Sequence, residues 1–207
     1  MIPISLNEIF SETKKAVRSV NIDWGTAHDT AILSRWLAHH EISFLGSLLK
    51  SLELISNKQL SLNILSNNNK KPLSTTLIGI LLVEYVCENQ LIWKGYIDNP
   101  IYLVAAMGII SYEQQVELEL KDKNHKLIAY TQNKELFFDF KSNIPLSDFV
   151  YLSLNKNKSY KNLIKIDISN IPIIPMVNKK CWEKLKAMAF KTYVPESNKS
   201  RISGAGY

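Results

Sequence analysis

The sequence predicts an α+β fold: an N-terminal helical cluster, a central antiparallel β-meander, and a C-terminal helix with an ordered tail. Three observations carry this. Apolar residues recur at three- and four-residue spacing between Leu6 and Ile110. From Tyr112 the period shortens to two, as in Gln115-Val116-Glu117-Leu118-Glu119-Leu120. Helical spacing returns after the prolines of Ile171-Pro172-Ile173-Ile174-Pro175, which exclude helix themselves. The 207 residues suit a single domain, helical over about 1–110, strand-rich over about 112–175, and closed by a helix and tail over 177–207.

Each element has a local cause. Ser5 is an N-cap, and Glu8 three residues later completes a capping box for a helix whose stripe is Leu6, Ile9, Thr13, Ala16, Val17 and Val20. Asp23 caps a second helix that runs to about His40, with Trp24 and Trp36 read as core residues. A third helix covers Ser43 to Ile55, and three short helices on short loops should form an antiparallel cluster. The polar, Asn-rich stretch from Ser56 to Pro72 reads as a mobile connection. Ser74 caps a helix through about Glu88 that is apolar nearly all round and therefore central. Asn99 and Pro100 open another, over Ile101 to about Ile110.

The strands follow as β-rich runs. Leu127 to Tyr130 and Leu136 to Phe140 flank a turn-forming segment, and Phe149 to Leu154 and Leu163 to Ile168 come next. The last helix starts at Asn178, carries Trp182, Leu185, Met188 and Ala189 inward, and ends before Pro195.

Composition narrows the function classes. The net charge of +6 comes from 25 basic residues of which only Arg18, Arg35 and Arg201 are arginine. Base-edge readout and planar phosphate clamps favour the rigid guanidinium fork, so scattered lysines argue against nucleic acid as a partner. No apolar run approaches the ~18 residues that span a bilayer, and no membrane partner is expected. The N-terminus lacks the pattern of a secretory leader, and Cys87 and Cys181 are far apart and lack metal-ligand spacing, which suits a cytoplasmic protein.

Motifs for common chemistries are missing. Gly204-Ala205-Gly206 is followed by one residue, so no helix N-terminus can receive a phosphate there. His28, His39, His40 and His125 have no metal-ligand spacing, so neither a metal nor a cofactor is expected, and no catalytic residue is assigned. What remains is a set of binding groups. His28, Ile32, Arg35 and His39 share one face of the second helix, either as a cationic stripe for an anion or as a solvated edge. Glu84 projects from an apolar helix and calls for an arginine or a ligand amine, unless it reaches water. The tail concentrates Tyr193, Ser200, Arg201 and Gly204 behind Pro195.

These residues resemble the pattern of an uncharacterised bacterial domain family of unknown function. The resemblance rests on Ser5-Leu6-Asn7-Glu8-Ile9, Lys15-Ala16-Val17-Arg18, Trp24-Gly25, Arg35-Trp36-Leu37-Ala38, Gly79, Glu84 and Pro100, then Thr192-Tyr193-Val194-Pro195, Ser200-Arg201 and Gly204-Ala205-Gly206. It implies no reaction and no cofactor. The expected function is binding of a small anionic metabolite, with or without catalysis, at a site made from Arg35, Glu84, Tyr193, Ser200, Arg201 and Gly204. The alternative is a non-catalytic subunit that docks its tail in a partner protein. A homodimer is expected in either case.

Overall fold

The computed structural model describes residues 1–65, 71–133, 135–138, 148–154, 164–166 and 174–192. Strand β1 (Ile2–Pro3) precedes helix α1 (Leu6–Arg18), where the Ser5 hydroxyl accepts the Glu8 N–H at 3.1 Å. Arg18 donates to the Ile22 carbonyl and lies 4.9 Å from the centroid of the Trp24 ring, closing the turn into α2 (Trp24–His39). A planar guanidinium does both jobs at once, which accounts for arginine at this position. Asp23 caps α2 by accepting the Thr26 N–H at 2.8 Å, and that hydrogen bond holds its carboxyl below the usual range. Trp24, expected in the core, is 55% exposed at the first residue of its helix.

Helix α3 (Leu45–Ser56) begins two residues beyond Ser43, with Phe44 in the cap position and no side-chain hydrogen bond. Helix α4 (Thr75–Asn89) is buried on most sides, as its composition demands, and bends at Ile78. Strand β2 (Trp93–Ile97) then leads into α5 (Pro100–Gln114), which keeps Pro100 in its first turn. The strand-rich part contains β3 (Leu118–Asp122), β4 (Leu127–Gln132), β5 (Glu135–Phe138), β6 (Asp148–Leu154), β7 (Ile164–Ile166) and β8 (Met176–Val177). Helix α6 (Lys179–Phe190) follows, capped by Asn178, whose side chain accepts the Cys181 N–H at 3.1 Å.

The strands form an antiparallel sheet in the order β2-β6-β3-β4-β5-β7, and β1 pairs with β8 separately. The meander is thus confined to β3–β5. Strand β6 returns to the free side of β3, giving the spatial order of a Greek key, and β2 extends that edge. The reason is register: Leu152 faces Leu120, which faces Ala129, which faces Phe138, so one row of inward side chains crosses four strands. All four are buried.

Helix α5 packs on β3, β4 and β5, and α4 packs on β6. Helix α2 crosses both, and α1 lies against α2 and α6. Helix α3 packs on α6, so the first three helices do not form the closed antiparallel cluster that their short loops suggested. The stretch after α3 is anchored by backbone bonds: Ser61 N–H to Pro72 O at 2.8 Å and Leu73 N–H to Tyr96 O at 2.8 Å. That anchoring brings Asp98 onto the start of α4.

Asp98 is 2% exposed and does the capping expected of Ser74. Its carboxylate accepts the Thr75 N–H at 2.8 Å, the Thr75 hydroxyl at 3.0 Å, the Ser74 hydroxyl at 3.1 Å and the Thr76 N–H at 3.4 Å. Burial pushes this carboxyl up from its ordinary range, against the pull of the surrounding hydroxyls.

Candidate functional site

A cleft of about 420 Å³ opens between the start of α1, the second half of α2 and the last turns of α5. Helical spacing places its lining. Ile32, Arg35, Trp36 and His39 stand on one face of α2, while Gly108, Ile109, Tyr112 and Glu113 face them from α5. Leu6 and Asn7 close the end at α1, just inside the Ser5 cap.

Gly108 sets the distance between the two walls. A Cβ there would sit 2.8 Å from Cζ2 of Trp36, so only glycine lets the indole lie across α5. Trp36, expected in the core, is only partly buried and forms the cleft floor. Its ring is stacked on that of His40, which also lines the cleft, at 4.0 Å between centroids, and the His40 Nδ1–H donates to the Trp36 carbonyl at 2.8 Å. His39 meets His40 edge-on at 4.9 Å, and its Nδ1 is buried with no hydrogen-bond partner among the described residues.

Arg35 is exposed at the lip, with its guanidinium carbon 5.2 Å from the centroid of Phe10. The same ring meets His28 in a T-shaped contact at 5.2 Å between centroids. The stripe read along α2 is therefore split: His28 packs on Phe10 and does not line the cleft, whereas Ile32, Arg35 and His39 do. No carboxylate pairs with Arg35 among the described residues.

Glu84 does not line this cleft, and its neighbours are acids rather than the arginine that its position called for. Burial pushes its carboxyl up, and Asp29, Glu88 and Glu113 push it further. Burial also raises Asp29, which His28 partly offsets. Glu113 belongs to both settings, lining the cleft and adding its charge to the field at Glu84. Tyr193, Ser200, Arg201 and Gly204 lie outside the described residues. No group of three or more His, Cys, Asp or Glu among the described residues is arranged to hold a metal ion. A second cleft, of about 490 Å³, lies between the starts of α3 and α6 and presents one charged side chain, Glu41. The first cleft is the better candidate because oppositely charged and aromatic groups converge there on apolar walls.

Residues 4–74 match a family described as "Protein of unknown function (DUF3726)". The resemblance to an uncharacterised domain of unknown function is borne out over that segment. The DUF3726 segment supplies the α1 and α2 walls of the cleft, Arg35 and Trp36 included, while the α5 wall comes from beyond it. No curated protein and no solved structure matches the chain. No helix among the described residues is long and apolar enough to cross a membrane.

Sequence reasoning found Arg35 and His39 but not Asn7, Gly108, Tyr112 or Glu113 as site residues. The signal for Gly108 was weak but present: glycine is costly inside a helix as apolar as α5 and calls for a close neighbour.

Proposed function

We propose that the protein binds a small anionic metabolite in the α1–α2–α5 cleft, with Arg35 holding the anion. One observation carries this reading. The guanidinium stands at the mouth of an apolar, Trp-floored cleft, steadied by Phe10 and unpaired with any described carboxylate. Arginine is rare in this chain, and its fork suits bidentate contact with a carboxylate or phosphate. The size of the cleft falls within the range of ordinary small-molecule sites. His39 and His40 line the same space.

The test is a thermal-shift panel of small carboxylates and phosphates against the full chain, followed by titration of any hit. A hit should stabilise the wild type and should lose most of its effect in Arg35→Ala, with Arg35→Lys intermediate. Absence of any shift, or shifts unchanged in Arg35→Ala, would sink the reading.

A further inference from the structure

The cleft carries opposite charges on facing walls, and they do not neutralise each other. Arg35 rises from α2 and Glu113 from α5; both line the same space. No ion pair joins them, and neither pairs with another described residue. Two free side chains able to reach each other would tend to close into a salt bridge, but here each is drawn elsewhere. Phe10 draws the guanidinium toward α1 through its ring face. On the far wall the charge of Glu113 is felt at Glu84, so negative potential accumulates on that side. A simple dianion bridging the cleft would meet repulsion at Glu113, and a simple amine would meet it at Arg35. A ligand bearing one charge of each sign satisfies both walls, with its apolar part against Ile32, Ile109 and Trp36.

We infer that the ligand of this cleft is a small amino-carboxylate, its carboxylate on Arg35 and its ammonium on Glu113, with an apolar side chain over the Trp36 floor. This rests on the reading of the cleft as an anion-binding site and narrows the ligand class. Arg35 and Glu113 are then the specificity-determining pair: the first selects for the acid, the second against acids lacking an amine.

The experiment uses the full chain and matched probes: L-phenylalanine and L-leucine, their deaminated analogues 3-phenylpropanoate and 4-methylpentanoate, and the amine 2-phenylethylamine. Calorimetric titration should show at least one amino acid binding about tenfold tighter than its deaminated analogue. Glu113→Gln, at an exposed position, should bring the two to within about twofold, by weakening the amino acid and, through relief of repulsion, tightening the deaminated acid. Arg35→Ala should abolish both. Circular dichroism checks that each variant is folded. If the deaminated acids bind as well as the amino acids in the wild type, or the preference survives Glu113→Gln, the inference is overturned and the anion site stands. If no carboxylate of either kind binds, the inference falls, and the anion reading falls with it only if the phosphates of the thermal-shift panel also fail.

Discussion

Replacing Asp98 tests whether the start of α4 is held by a distant carboxylate rather than by its own cap residue. In Asp98→Ala the Thr76 N–H, on a fully buried residue, and the Ser74 hydroxyl lose their acceptor, and the Thr75 N–H keeps only the Leu73 carbonyl at 3.1 Å. The Thr75 hydroxyl keeps a partner, the Asn99 carbonyl at 2.7 Å. Loss of an N-cap costs about 1 kcal/mol, and each buried donor left unpaired about 1–3 kcal/mol. Relief of the buried charge offsets part of this, so a net loss of about 2–4 kcal/mol is expected. At roughly 2–4 °C per kcal/mol for a chain of this size, Tm should fall by about 4–16 °C. Asp98→Asn keeps an acceptor for the Thr75 N–H and removes the charge, so its effect should be far smaller.

The two variants also separate in pH. Burial raises the folded-state pKa of Asp98 above its ordinary 3.8. The stability this contributes is full below that value and is lost as pH rises through the raised folded value. The asparagine variant lacks that loss, so its stability relative to wild type should improve between pH 4 and pH 7. Urea unfolding followed by circular dichroism at both pH values measures this. A loss below about 0.5 kcal/mol in Asp98→Ala, or an asparagine difference that moves the other way with pH, would refute the capping argument.

Three further outcomes are expected. Gly108→Ala sets a helix-propensity gain of about 1 kcal/mol against displacement of the Trp36 indole; stability should stay within about 1 kcal/mol of wild type while the indole swings into the cleft, read as altered near-ultraviolet dichroism and lost ligand response. Glu84→Gln should raise Tm by about 1–3 °C at pH 8 and by nothing at pH 4, because the carboxyl is raised from 4.5 by burial and by neighbouring acids, so its destabilising ionisation appears only as pH climbs. Light scattering should give about twice the 23.7 kDa chain mass, since Leu81 and Ile92 present large apolar side chains to solvent at 53% and 69% exposure.

Where one residue's side chain meets a backbone group within four positions, the outcome was legible in the sequence. Ser5, Asp23 and Asn178 each cap the helix they precede, because the acceptor and the N–H it serves are fixed by the same local turn. The change of period after Tyr112 gave the α+β order for the same reason: side-chain direction repeats every 3.6 residues in a helix and every two in a strand. The all-round apolar composition of α4 announced its central place. Arg35 stood out because arginine is scarce here.

What escaped is what depends on partners distant in sequence. Ser74 has the composition of a cap and sits in the cap position, yet a buried aspartate 24 residues on outcompetes it. The meander fails at β6 because strand order is decided by which inward rows complete one core, a property of the whole sheet. Strand β2 hides behind Gly95 and its short length, and becomes a strand only through pairing with β6. The α5 wall of the cleft is the same case. Nothing local marks Glu113 as facing Arg35, since the two meet only when α2 crosses α5 at Gly108. Sequence alone determined the helices, the strands from β3 to β7 and where most helices start, because those follow from groups within one turn. Tertiary packing decided which helices touch, which strand neighbours which, and which charges share a cleft, because these depend on contacts across the core that no local window contains.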